Sequence, residues 1–271
     1  MKIGFSFLSL KTISVKRAIK LTKNLGGNTL ELFGDLPIFL KGRSLEDPKE
    51  IRRYAEEREV FLTVHLPYID INLSSFNGLI WEKSIESVKR SLSYAHDVGA
   101  KRVVLHPGST PLKHPIISYM AKRNLKKALF IILEEGKKYD IEITLENSYF
   151  DENDVFYKVE EFKRFVESFK GELKVCFDFG HAHISSQGIS KSLEVLKPLI
   201  THIHIHDNLG KKDDHLPLGK GNIDFTDYLD FIRNFNGSII LEINTLHDNK
   251  ETMKRNIQFL KGRDLNLSPF S

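Results

Sequence analysis

The sequence has a single cysteine, Cys176, in 271 residues. That excludes an internal disulfide and any zinc site built from several thiolates. A lone thiol fits a reducing compartment, so a cytoplasmic location is the expectation. Long hydrophobic runs are missing too. No stretch approaches the roughly 20 apolar residues of a transmembrane helix, and no membrane partner is expected. The opening "MKIGFSFLSLKT" carries a short apolar run, without the length or small-residue cleavage site of a signal peptide. No Pro/Gly/Ser linker or low-complexity segment divides the chain. No glycine-rich phosphate turn follows the first apolar run, which disfavours a dinucleotide-binding fold.

What is present is an ordinary globular balance, with 41% apolar and 28% charged residues. The length suits one large α/β domain as well as two small ones. The formal charge of +4 and pI near 8.9 permit a polyanionic partner without demanding one. The lysines of "KRAIKLTK", "AKRNLKKALF" and "EEGKKYD" fall on presumed helix faces and read as solvated. The abundance of Lys and Glu resembles that of heat-adapted proteins.

Short apolar runs alternate with longer amphipathic ones. The spacing predicts strands at 3–8, 29–33, 60–65, 102–106, 141–146, 173–178, 200–206 and 238–243. Helical patterns lie between and after them, at 15–25, 48–58, 79–98, 116–139, 155–169, 190–197, 225–235 and 251–261. In one of these, Ile85, Val88, Leu92, Ala95 and Val98 recur at the spacing of a one-sided helix that stops at Gly99. Strict alternation implies a parallel sheet. Eight units in this length predict a (β/α)8 TIM barrel, one domain over 1–271. A doubly wound open sheet is the runner-up.

In such barrels the chemistry sits at the carboxyl ends of the strands. Those ends hold His65, His106, Glu146 and Asp178, with His181 just beyond. Strand seven carries His202, His204 and His206 on one face, then Asp207. Asp213, Asp214 and His215 follow in the next loop, and strand eight reaches Glu242. Each alone could be structural. Together they place many carboxylates in one pocket, at prohibitive cost without cations. Divalent metal resolves the cost, and zinc or manganese suits this ligand set. Asp178 and His181 read as metal-site residues, and His183 as a supporting or structural one. Lys220, in the turn "LGKG", is a candidate contact for an anionic substrate. Cys176 reads as a buried inert thiol. Trp81 either covers the rim or packs a helix. The apolar stretch "FGDLPIFL" (33–40) suits either a lid or a contact in a homo-oligomer.

These residues resemble the xylose isomerase-like TIM barrels, a superfamily that includes endonuclease IV and many sugar isomerases and epimerases. The resemblance spans almost the whole chain. It is carried by "HLPYIDINL" (65–73), "HPGS" (106–109), "LEN" (145–147), "VCFDFGHA" (175–182), "HIHDN" (204–208), "DDHLPLGKGNI" (213–223) and "LEIN" (241–244). Endonuclease IV holds three zinc ions with nine ligands. The resemblance places these at His65, His106, Glu146, Asp178, His181, His204, Asp213, His215 and Glu242, all of the right type. Tyr68 and Ile69 match its DNA-inserting Tyr-Leu pair. In the isomerase branch, Glu146, Asp178, His204 and Glu242 bind one metal and His181 contacts the sugar.

The chain departs from endonuclease IV in several places. "FSFLSLKTIS" replaces a Gly-rich loop after strand one, and "LFGDLPIFLKG" a basic DNA-contacting loop. The acidic "NSYFDENDVF" replaces a Gly-rich turn, and acidic residues at the mouth repel phosphate backbones. His206 stands where that enzyme has Asn. The resemblance therefore implies first a divalent-metal-dependent isomerase or epimerase acting on a sugar or sugar phosphate. In that reaction Glu146 and Glu242 move the proton beside a carbonyl, while His181 and His215 orient hydroxyls. The alternative is a phosphodiesterase that cleaves DNA at abasic sites with a trinuclear zinc site. Between one and three ions are expected across the two readings.

Overall fold

β-branched and aromatic residues concentrate in eight short runs, and each becomes a strand. The computed structural model describes residues 1–35, 46–111, 113–151, 154–244 and 249–263. The strands are β1 (Lys2–Ser6), β2 (Thr29–Phe33), β3 (Phe61–His65), β4 (Arg102–Leu105), β5 (Glu142–Glu146), β6 (Leu173–Asp178), β7 (Ile200–Ile205) and β8 (Ser238–Leu241). Each pairs in parallel with its neighbours, and β8 returns to β1 to close a barrel. The predicted (β/α)8 architecture is the one observed.

Among the described residues the helices are α1 (Val15–Asn24), α2 (Pro48–Glu56), α3 (Gly78–Asp97), α4 (Pro115–Tyr139), α5 (Val159–Glu167), α6 (Phe179–Ile184), α7 (Gly188–Leu196), α8 (Leu229–Arg233) and α9 (Lys250–Leu260). Their starts follow local chemistry. Ser14 caps α1 by accepting from Arg17 N–H, and Asn77 caps α3 by accepting from Leu79 and Ile80 N–H. Pro115 opens α4, where a missing N–H costs nothing, and Asp140 ends it in the left-handed region at φ 54°. Trp81 donates its indole N–H to Asn124 O at 3.2 Å, so it joins α3 to α4. Surface lysines pair with carboxylates, as Lys137 does with Glu134 at 2.8 Å and Glu172 at 3.0 Å. Such pairs contribute at most about 1 kcal/mol each.

Two elements differ from the sequence reading. The pattern at 225–235 forms a 3-10 turn, Phe225–Tyr228, and then the short α8. The segment after β6, given no element in the sequence reading, is a helix, α6. Asp178 caps it, its Oδ1 accepting from His181 N–H at 2.7 Å. Residues 36–40 of the stretch "FGDLPIFL" lie outside the described residues. No helix among the described residues is long and apolar enough to cross a membrane.

The loops at the carboxyl end of the barrel are locked by buried polar contacts. Gly108 turns with φ +86° beside Asn72, whose amide donates to Ser109 O, while Ser74 Oγ donates to Pro107 O. Asn147 ties β5 to β6: its Oδ1 accepts from Asp178 N–H at 2.8 Å and its Nδ2 donates to Asp178 O at 3.2 Å. Asp207, fully buried, accepts from the N–H groups of Asn208, Gly219, Gly221 and Ile223. It thereby gathers the loop that carries Asp213 and His215. Asp207→Ala should strip acceptors from these N–H groups and lower stability by at least about 2 kcal/mol in urea denaturation. Stability within about 0.5 kcal/mol of the parent would show that the loop is held some other way.

Candidate metal centre

Alternation along each strand turns every second side chain into the barrel. β3, β5 and β6 end in His65, Glu146 and Asp178, and β7 carries His204. His106, His206 and Glu242 follow β4, β7 and β8 at once. The side chains gather in three groups, in each of which one ligand atom per residue lies within 4.8 Å of the others. In the first, His106 Nε2 is 2.8 Å from Glu146 Oε2, and His65 Nε2 is 3.1 Å from His106 Nε2. The second joins Glu146, Asp178, His204 and Glu242, with His204 Nδ1 2.8 Å from Glu146 Oε1 and 3.5 Å from Glu242 Oε2. The third holds His206, Asp213 and His215. His181 Nε2 lies 3.4 Å from Asp213 Oδ2.

All nine positions singled out in the sequence therefore meet at the barrel mouth. Lys220 does not join them: it is exposed on its turn and absent from the cavity wall. His183, half-buried, bonds Asn208 Oδ1 at 2.7 Å.

The imidazoles are aimed. His65 Nδ1 donates to Leu66 O at 2.9 Å, His181 Nδ1 to Asn147 O at 2.8 Å and His215 Nδ1 to Glu242 O at 2.8 Å. Each bond fixes the tautomer and leaves Nε2 as the ligand atom. His204 is reversed: Nε2 points to Glu31 Oε1 at 2.8 Å, and Nδ1 faces the centre. Asp178 Oδ2, Asp213 Oδ1 and His206 Nε2 are buried with no hydrogen-bond partner. Orphaned carboxylate oxygens are costly. Divalent ions bound by these imidazoles and carboxylates would satisfy them, so the donor set fits zinc or manganese.

Protons stand in for part of that charge. Burial favours a neutral Glu146 carboxyl, but the His204 and His106 imidazoles hold it well below the usual carboxylate range. Burial likewise opposes ionised Asp178, and His181 and His206 outweigh it. Burial disfavours charged His215, but its bond to Asp213 and the nearby Glu242 raise it to about 9.

The sequence reading passed over Glu31. This carboxylate is fully buried in β2, 3.0 Å from His202 Nε2 and bonded by Thr63 Oγ1 at 3.0 Å. It orients His204 from beneath. Its signal was visible: an acid in the wholly buried strand "TLELF" is the same anomaly that Asp178 makes in β6. Cys176 and His202 also surround His204. Burial pushes the Cys176 thiol well up, so it stays protonated, as an inert buried thiol should.

A cavity of about 520 Å³ opens over the centre. Its wall includes His65, His106, Glu146, His181, Asp213, His215 and Glu242, with Phe33, Leu8, Tyr68 and Tyr149, and no Lys or Arg among the described residues. Tyr68 stacks on His106, ring centroids 5.2 Å apart, and Tyr149 packs edge-on to His181.

A ring of imidazoles and carboxylates at the carboxyl end of a closed parallel barrel gives a (β/α)8 protein with groups able to hold metal, at the end of the barrel where such folds host chemistry. The chain belongs to the xylose isomerase-like TIM barrel family, whose model matches residues 19–263. It is 34% identical to the uncharacterized protein MJ1614 of Methanocaldococcus jannaschii over 70% of this chain and 72% of that one. It is 26% identical to a probable endonuclease 4 of Aquifex aeolicus, over 78% and 79% of the two chains. A solved D-tagatose 3-epimerase-like protein superposes with TM-score 0.83 at 26% identity, covering 97% of each chain.

Two outcomes follow. Glu31→Gln removes the charge behind His204 and should weaken zinc binding about 10- to 100-fold in chelator competition, with the circular dichroism unchanged. Unaltered affinity would leave Glu31 a packing residue. Zinc must also displace protons from imidazoles held charged. Affinity should therefore rise with pH up to about 9, the His215 value, with proton release below it that calorimetry in buffers of different ionisation enthalpy would detect. A flat profile would mean that the imidazoles are already neutral.

Proposed function

We propose that the chain is a phosphodiesterase working with a cluster of divalent ions, the second of the two reactions implied by its sequence resemblance. The supporting observation is the pair His65–His106, with Nε2 atoms 3.1 Å apart beside Glu146 Oε2. A one-ion isomerase could spare this pair. A bridging carboxylate between two ligand groups suits chemistry shared by several ions.

The charge of the wall points the same way. One divalent ion would leave the carboxylates Glu146, Asp178, Asp213 and Glu242 in excess, and among the described residues the wall has no Lys or Arg to attract a phosphate. Three ions would outweigh those carboxylates and make the wall attractive to an anion. Bound divalent ions would supply Lewis-acid stabilisation of a phosphoryl oxygen and a water-derived nucleophile at neutral pH.

The chain's own residues do the rest. Glu146 spans two ligand groups with its two oxygens. Tyr68, held neutral by burial and by nearby carboxylates that push it up to about 12, presents a hydroxyl to the substrate. Burial and Asp213 push Tyr149 up as well, so both phenols donate without adding charge. Tyr68 and Ile69 are 37% and 40% exposed at the rim, placed to touch what flanks a scissile phosphate.

The metal-dependent epimerase remains the second reading. It is favoured by the approach of Glu146 and Glu242 to the same His204 nitrogen, at 2.8 and 3.5 Å, which suits proton transfer on two faces of a sugar. The test uses zinc- and manganese-loaded protein with bis(p-nitrophenyl) phosphate, duplex DNA carrying one abasic site, and a ketose panel in heavy water. Phosphodiester cleavage should fall at least about 100-fold in both His106→Ala and Glu146→Gln. Deuterium entering a ketose, unaffected by His106→Ala and without any P–O cleavage, would overturn the proposal in favour of the epimerase.

A further inference from the structure

His206 is wholly buried, yet its Nε2 bonds nothing. That nitrogen lies 3.3 Å from Asp178 Oδ1 and 3.3 Å from Asp213 Oδ1. Asp213 Oδ1 is likewise buried without a partner. The ring stacks on His215 with centroids 4.0 Å apart and planes 23° from parallel, and both rings approach Asp213 through Nε2. Its other nitrogen faces Asp207 O at 3.4 Å, which leaves Nε2 as the ligand atom.

The chain also makes room for this ring. A Cβ at Gly180 would stand 1.9 Å from His206 Cε1 and 2.3 Å from Nε2, so only glycine fits there. An asparagine at 206, the residue that the resemblance leads one to expect, offers no imidazole nitrogen. His181, by contrast, lines the open cavity, whereas His206 does not. His181 is also outside the group whose ligand atoms lie within 4.8 Å of one another.

We infer that His206, with Asp213 and His215, holds the outer ion of the cluster, and that this frees His181 Nε2 to face the substrate. The inference rests on the metal-centre part of the reading above and on neither reaction. His206 is then the inner anchor of this ion and Gly180 its clearance. The alternation of β7 puts His204 and His206 on one face, so two ions are drawn to the same strand end.

The test is zinc content after dialysis, with affinity by chelator competition, for the parent, His206→Asn and His181→Asn. His206→Asn should lose one zinc per chain, or bind the weakest zinc at least about 10-fold less tightly, while His181→Asn keeps the parent content. Gly180→Ala, which displaces the ring, should imitate His206→Asn. A zinc-edge anomalous map of the parent protein needs no variant to fold, and should show a peak about 2.0–2.1 Å from His206 Nε2. Full zinc content and affinity in His206→Asn, or no peak at that nitrogen beside otherwise occupied sites, would overturn the inference alone. Loss of zinc in His181→Asn would overturn the assignment of His181 to substrate. A parent protein that binds no zinc would overturn the metal centre itself, and this inference with it.

Discussion

The Glu146 carboxylate is buried with one oxygen 2.8 Å from His204 Nδ1 and the other 2.8 Å from His106 Nε2. An ionised carboxylate in that position is tenable only if positive charge sits on both sides of it. Protonated imidazoles supply some of that charge, and divalent ions would supply more. The rest of the rim arranges itself around this requirement. His65 crowds against His106, Asp178 and Glu242 approach His204, and His65, His181, His204, His206 and His215 each face a group outside the cluster with one nitrogen and turn the other toward it.

The fold supports the centre from below and from the side. Glu31 holds the far nitrogen of His204 inside the barrel, and Thr63 and His202 hold Glu31. Asn147 clasps the ends of β5 and β6 while its own carbonyl orients His181. Asp178 faces the cluster and caps α6, so metal site and helix start are fixed by one side chain. Asp207 ties down the loop that delivers Asp213 and His215. Asn147 of "LEN", Pro107 of "HPGS" and the glycines of "LGKG" thus anchor the loops around the candidate ligands.

A barrel of this family can run proton transfer or phosphoryl transfer from nearly the same rim, because both need a polarising cation and a carboxylate. What separates the two is how many ions the rim can hold and what charge it shows once they are bound. Here the extra imidazoles His65 and His106 beside Glu146 carry the proposal of a multi-ion centre.

Sequence periodicity alone was enough to assign the eight strands, the barrel, and the ring of ligand types at strand ends, because strand alternation and the carboxyl-end rule are properties of local pattern. His65, Asp178 and Glu242 could be read straight from where their strands stop. The role of Glu31 could not, since its partner His204 is far along the chain and meets it only when the barrel closes. The same holds for His206. Its type and face were plain, but its reach to Asp178 and Asp213 depends on a loop folded back by Asp207 and on the space that Gly180 leaves open. Lys220 depends on the fold as well: its place in the sequence puts it near the rim, and the folded turn leaves it exposed and outside the described cavity wall. Residue type and period are local and survive in one dimension. Which nitrogen is free, which oxygen is orphaned and which charge faces which are set by distances across the barrel, and those exist only once β8 has met β1.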